Sequence, residues 1–299
     1  MISIIIPTYN RDEMLNLTLS SLVQVIDGID AEIIVVNDCP ERVPQVNGKF
    51  LSNVKIVNNP KKGVGAARNY GVETSRGEYI IFMDDDFLIS KESILGLVKL
   101  LIIHPDKVFN PSWIYPPDLL EDASKMKFGR YIIREGFTSL KDRMKDYGWI
   151  NDSIFERVNG LSSGLLAISR ENFIKTGGYD TDMVFGNDRD FSLRIKASGI
   201  KLYIAPFISA FHNERDKLNL HSWLNRRKFG VQQLVKHKMV AIPNYNPIKK
   251  ILLKLFSRYK NVLFFIENYI PNKKYLDWLY SKVLNILFAV YLFEAYTEK

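Results

Sequence analysis

Tyr79-Ile80-Ile81-Phe82-Met83-Asp84-Asp85-Asp86-Phe87-Leu88-Ile89-Ser90 is the stretch that decides the fold. Five apolar residues run straight into three carboxylates, and apolar residues follow. A short apolar run with polar punctuation predicts a buried strand. Three acids at its end repel one another, each raising the pKa of the next, and they are costly when dry and unpaired. Positive charge is therefore expected beside them. A divalent cation is the simplest source, because Mg²⁺ takes carboxylate oxygens and shares the rest of its shell with phosphates. The end of a strand in an open α/β sheet is also where ligands bind. The plainer alternative is an acidic turn that only solubilises a loop.

Towards the N-terminus, Ser3–Ile6 predicts a strand stopped by Pro7-Thr8-Tyr9-Asn10. Residues 12–26 carry Met14, Leu15, Leu19, Leu22 and Val23 at helical spacing. Ile33–Val36 is a second strand, ending in Asn37-Asp38, and Val54–Val57 a third. Gly63-Val64-Gly65-Ala66-Ala67-Arg68-Asn69 opens a helix that closes near Ser75-Arg76-Gly77. Alternating strand and helix predicts a parallel α/β sheet. Thr8, Asp38 and Asp84 each follow a strand, so a parallel sheet brings them to one edge. Gly63 and Gly65 make only a weak dinucleotide signal, since the third glycine is missing. Arg68, in the first turns of its helix, can aim planar donors at a phosphate or stand as a surface arginine.

Towards the C-terminus, residues 91–103 read as a helix, and 104–157 break the alternation with Pro105, Pro111, Pro116, Pro117, Trp113 and Trp149. Loop sets of this kind carry specificity. A strand is expected over 161–168 and a short helix over 170–175. Asn187 reads as the N-cap of a helix closed by Gly199, with Asp188 in its first turn, where the helix dipole stabilises an anion. A last strand, Lys201–Ile204, precedes Pro206 and His212, and a lone histidine is more often structural than a ligand.

The 299 residues are 46% hydrophobic, enough for one large domain or two small ones, and hold one cysteine, Cys39, which excludes an internal disulfide and a cysteine metal cluster. Residues 1–213 hold 25 Lys/Arg and 27 Asp/Glu, whereas 214–299 hold 16 and 6, so the whole +8 excess lies in the tail. The tail reads as helices over 216–238, 248–270 and 274–296 with leucine and aromatic stripes. Core packing or contact with an anionic membrane accounts for such stripes. No run of 18 uncharged apolar residues is present, so no membrane-crossing helix is expected, and Met1–Ile6 lacks the basic leader of a secretory signal.

Five motifs in order resemble family 2 glycosyltransferases of the GT-A fold, of the bacterial polysaccharide type, over about residues 1–215. They are Ser3–Asn10, Ile34–Asp38, Gly63–Asn69, Phe82–Asp86 (the D-x-D motif) and Gly177–Asp180 with Phe185–Asp188. Two departures stand out: Asn37 and Asn187 replace acids usual at those positions. The resemblance implies a Rossmann-like, mostly parallel sheet flanked by helices, a catalytic domain over 1–215 and a helical C-terminal region over 216–299. It implies nucleotide binding by Pro7, Thr8, Tyr9, Asn10, Arg11, Asp38, Gly65, Arg68, Asp84 and Asp85. Mn²⁺ or Mg²⁺ would sit at Asp86, Asp84 and His212, and Asp188 would be the general base. The processive Q-x-x-R-W motif is absent, so transfer of one or a few sugars is expected. The expected reaction is metal-dependent and inverting, from a nucleotide-diphosphate sugar (a UDP-sugar favoured) to a glycan or lipid-linked acceptor. The expected location is cytoplasmic, at the inner face of the plasma membrane, with no nucleic-acid partner. A sugar nucleotidyltransferase on a similar sheet is the competing reading, revealed by pyrophosphate release. A glycosidase would need no acid cluster of the metal-binding kind.

Overall fold

In a computed structural model, which describes residues 1–50, 52–157, 160–183 and 185–298, the elements follow in chain order. They begin β1 (Ile2–Thr8), α1 (Asp12–Val25), β2 (Ala31–Asn37), β3 (Val54–Asn58), α2 (Val64–Glu73), β4 (Tyr79–Met83), β5 (Phe87–Ile89), α3 (Lys91–Ile103) and β6 (Lys107–Ile114). Then come α4 (Pro117–Lys125), α5 (Lys127–Arg134), α6 (Leu140–Arg143), β7 (Phe155–Glu156), β8 (Leu165–Ser169), α7 (Arg170–Lys175), α8 (Asn187–Ala197) and β9 (Lys201–His212). Four helices finish the chain: α9 (Leu220–Lys236), α10 (Pro247–Arg258), α11 (Lys260–Tyr269) and α12 (Asp277–Thr297). The chain divides into two compact units, Met1–Tyr115 with Ser139–Asn213, and Pro116–Thr138 with Glu214–Lys299. Residues 116–138 thus group with the C-terminal helices, whereas a division at 215/216 assigns them to the first unit.

The first unit holds one sheet in the order β3-β2-β1-β4-β8-β6-β9-β5, with β7 also on β9. The pairs β2–β3, β1–β2 and β1–β4 are parallel, as the strand–helix alternation demands. Beyond β4 the sheet is mixed: β8 runs antiparallel to β4 and β6, while β6 and β9 run parallel. Ile4, Ile5, Ile6 and Ile80–Met83 are fully buried, because central strands lie between two covered faces. Phe82, Phe173, Tyr179 and Phe191 form one aromatic cluster under them.

Several strands differ from the expectation: β1 runs through Pro7 to Thr8, β5 and β7 were not expected, and the largest differences are in β9 and β6. β9 continues through Pro206 to His212 because the β6–β9 register jumps from Pro111↔Ala205 to Ser112↔Ser209. The residues skipped include Pro206, which has no N–H to give a ladder. β6, inside the supposed loop region, takes part in the same pairing. Its buried Asn110 donates to the carbonyls of Ser162 and Leu165, which ties the start of β8 to this strand.

In the second unit α12 packs against α5, α9, α10 and α11. Lys274–Thr297 is long and apolar enough to cross a membrane by length and composition. That apolarity is also what its position requires: Tyr280, Leu284, Leu287, Val290 and Phe293 are buried within the unit. Buried Glu294 accepts from Lys228 (2.7 Å), Ser257 (2.7 Å) and Lys260 (3.0 Å), joining three surrounding segments to α12.

Candidate active site

The parallel strands end at one edge, and the residues just after them line a cavity of about 180 Å³. Pro7, Thr8, Tyr9 and Arg11 come from the β1 end, Asp38 from β2, Asp84 and Asp85 from β4, and Val64 from the start of α2. Asp38 is buried and accepts from Asn59 Nδ2 (2.7 Å) and from the Gly63 amide (2.8 Å), so it holds the glycine turn against the β2 end. Asn37 donates to the carbonyls of Cys39 and Arg42 and to Asn58 Oδ1. An ionised aspartate has no donor for those carbonyls, which is a physical reason for the amide at this position.

The three acids are distributed rather than massed. Asp85 Oδ2 accepts from Thr8 Oγ1 (2.7 Å), and Arg11 pairs with Asp85 Oδ1 and with Asp86 Oδ2 (3.1 Å to the latter). Burial pushes the Asp85 carboxyl up to about 7; Asp86 and Asp84 add to this, and Arg11 and Thr8 oppose it. Asp84 accepts from Arg68 Nη2 at 2.7 Å. Gly164 lets this happen: its carbonyl accepts from the Asp84 amide, and a Cβ there would lie 2.8 Å from Asp84 Oδ2. β5 pairs antiparallel with the end of β9, Phe87 opposite His212, which brings the His212 ring 3.3 Å from Asp86 Oδ1. The Phe87 and His212 rings stack at 4.2 Å.

Three residues expected at the nucleotide do not line this cavity. Arg68 is buried; it holds Asp84 and lies 5.4 Å over the Tyr179 ring. Gly65 is a close-packing glycine: a Cβ there would meet Asn187 Nδ2 at 2.6 Å and the Asp180 carbonyl at 3.0 Å. Asn10, at φ 53°, accepts from Arg42 and lines an adjoining crevice that shares Thr8 with the cavity.

Asp188 lies in the first turn of α8, whose N-cap is Gly186 in the left-handed region, not Asn187. Asn187 turns inward and donates to the Met183 carbonyl (2.9 Å) and the Asp180 carbonyl (3.3 Å). Half-buried Asp188 lines a second cavity, of about 460 Å³, with Trp113, Tyr147, Glu156, Arg143, Arg157 and Ser162 among its neighbours. Burial raises the Asp188 carboxyl above its ordinary range; Arg68 and Ser163 pull it down and Asp84 pushes it up. Burial lowers Arg157, with Arg143 adding and Asp188 opposing. Asp190 is spent on Arg194 (2.5 Å), and Asp182 on Lys61 (2.7 Å). Arg143 and Arg157 were not singled out by the sequence, because each sits among other charges with no distinguishing pattern.

The pattern of the family described as "Glycosyl transferase family 2" matches residues 3–158, more than half of the chain, covering both strand-end motifs and the acid cluster. The chain belongs to glycosyl transferase family 2. An uncharacterized glycosyltransferase of Haemophilus influenzae is 28% identical over 198 residues, covering 65% of this chain and 62% of that protein. The chain thus spans less than two thirds of that relative's length. A poly(ribitol-phosphate) beta-N-acetylglucosaminyltransferase, TarS of Staphylococcus aureus, is 32% identical over 112 residues, covering 36% of this chain and 20% of that one. Among solved structures, the mannosyltransferase PcManGT of Pyrobaculum calidifontis, in complex with GDP-Man and Mn²⁺, is similar with a TM-score of 0.55 and 15% identity, covering 100% of this chain and 88% of that one. That similarity fixes the GT-A fold.

Membership of family 2 implies a divalent cation at the acid cluster. Among the described residues, no three His, Cys, Asp or Glu side chains converge closely enough to hold one. The physical reason is visible: Arg11 pairs with Asp86 Oδ2 and Arg68 with Asp84. The donor chemistry nevertheless fits, since Asp86 and His212 already face each other and partly exposed Asp84 supplies a second carboxylate at the strand end.

Proposed function

We propose that this protein is an inverting, metal-dependent glycosyltransferase that moves a sugar from a nucleotide-diphosphate donor to a hydroxyl of a glycan or lipid-linked acceptor in cell-surface polysaccharide synthesis. The observation that carries the reading is the pair of cavities, with Arg68 paired to Asp84 at the first. One is lined by the ends of β1, β2 and β4, the other by Asp188, and Arg68 lies in the electrostatic reach of both Asp84 and Asp188.

In this reading the nucleotide, a uridine diphosphate favoured, occupies the smaller cavity against Thr8, Tyr9 and Asp38, and Asp86, His212 and Asp84 would hold Mn²⁺ or Mg²⁺. A bound cation supplies positive charge to the leaving diphosphate. The acceptor occupies the larger cavity, most of whose lining comes from residues 113–157. Its hydroxyl oxygen attacks the anomeric carbon from the face opposite the diphosphate. The carbon–oxygen bond to the diphosphate breaks with its electron pair, and Asp188 accepts the hydroxyl proton. A raised carboxyl pKa suits that task, because a base works best when its pKa lies near the working pH. Arg68 keeps Asp84 and Asp188 from confronting each other uncompensated. The proposed location is the cytoplasmic face of the plasma membrane.

The test is a panel of nucleotide sugars with Mn²⁺ or Mg²⁺, read as nucleoside diphosphate release and as the anomeric configuration of the product. Release that stops in chelator and an inverted product are expected, and Asp86→Ala should abolish turnover. Full activity in excess chelator refutes the metal. Pyrophosphate release refutes the transfer, and a retained configuration refutes the inverting step.

A further inference from the structure

The structure separates the two kinds of apolar stripe in the C-terminal helices. The stripe of α12 faces inward. The stripe of α10 and α11 faces solvent: Ile248, Ile251, Leu252 and Leu255 on α10 recur at three- and four-residue spacing. Tyr259 continues the spacing at the junction, and Val262, Ile266 and Tyr269 continue it on α11. The contrast with the other face is sharp. Ile251 is 66% exposed and Phe265 60%, whereas Leu253 is 6% and Leu263 8% exposed. A seam of this size on water is unusual for a soluble surface and marks a contact.

Charge identifies the occupant. Lys249, Lys254 and Arg258 flank the seam on α10, all exposed. Between residues 247 and 276 the one acid is Glu267, and it is buried and paired with Lys127 at 3.2 Å. A second copy of this chain laid on the same face would set these cations against themselves. An anionic surface with an apolar layer beneath complements both features. The exposed aromatic residues Tyr269, Tyr275 and Trp278 add side chains suited to such a boundary. The helices have 12 and 10 residues, so they reach about 18 and 15 Å, too short to cross a hydrocarbon layer of about 30 Å.

We infer that α10 and α11 lie in the plane of an anionic lipid bilayer, with the Ile248–Tyr269 seam in the headgroup–acyl boundary and the flanking lysines on the phosphates. This rests on the membrane part of the proposed function and not on the transfer chemistry, which nucleoside diphosphate release without vesicles reads separately.

The experiment is co-sedimentation of the full chain with phosphatidylcholine vesicles and with equimolar phosphatidylcholine–phosphatidylglycerol vesicles, at low and high salt. Removing the tail would delete α12, the centre of its unit, so substitutions at exposed positions are used. The unaltered protein is expected to sediment with the anionic vesicles and to dissociate as salt rises. Ile251→Glu combined with Phe265→Glu should abolish sedimentation while thermal unfolding is unchanged. Lys249→Gln, Lys254→Gln and Arg258→Gln should each weaken it roughly fivefold at low salt. Three results overturn the inference: no sedimentation of the unaltered protein with anionic vesicles, undiminished sedimentation of the double glutamate variant, or a dimer in light scattering that the same two substitutions dissolve.

Discussion

Asp188→Asn removes the proposed base and keeps the shape of the side chain. Loss of a general base lowers a rate by about 10²–10⁴, equivalent to about 2.7–5.4 kcal/mol of barrier. Stability should move the other way. Burial is the first cause of the raised Asp188 carboxyl and outweighs the pull of Arg68 and Ser163. A carboxyl raised in the folded state stabilises the fold while protonated and loses that contribution as pH rises through its folded pKa. At neutral pH the ionised Asp188 therefore opposes folding, and asparagine removes the opposition. The assays are kcat with saturating donor and acceptor, donor affinity by titration, and Tm at pH 5 and pH 8. The expected result is a fall of kcat within that range, nearly unchanged donor affinity, and a Tm gain larger at pH 8 than at pH 5. In the unaltered protein kcat/KM should fall as pH drops through a pKa above the usual carboxylate range. Asp190→Asn, which breaks only a pair with Arg194 on α8, should cost about 0.2–0.5 kcal/mol and leave kcat alone. Wild-type kcat in Asp188→Asn refutes the reasoning, as does a larger loss in Asp190→Asn. So does a larger loss in Glu156→Gln, which alters the other acid of that cavity lining.

Two further substitutions test how the site is held. Asn187→Asp replaces an amide that donates to two carbonyls by a buried carboxylate, and should destabilise by about 1–3 kcal/mol, seen as a lower urea midpoint with unchanged slope. Gly65→Ala puts a methyl 2.6 Å from Asn187 Nδ2 and 3.0 Å from the Asp180 carbonyl; the shift it forces should cost about 1–3 kcal/mol and lower kcat by moving the α8 N-terminus, and an unfolding curve superposable on the unaltered protein's would refute the packing role.

Much of the first unit was legible because its signals are local. Apolar runs and helical spacing over a few residues locate β1 to β4, α1 and α2, and the strand–helix alternation makes their pairing parallel. That pairing alone carries Thr8, Asp38 and Asp84 to one edge, so the strand-end cavity follows from the sequence by itself. Asp188 at a helix start was equally legible, since Gly186, Asn187 and the apolar spacing behind them are contiguous. Tertiary structure decided what depends on residues distant in the chain. Pro206 reads as a stop until the β6–β9 register jump absorbs it. His212 meets Asp86 only because β5 pairs with the far end of that same strand. Arg68 turns to Asp84 rather than to solvent, and Asn187 inward rather than to a cap, because burial leaves each with partners from other segments. The stripes of α10, α11 and α12 look alike in sequence; packing within their unit buries one and leaves the other in water, since helical periodicity reports an apolar face and not what covers it.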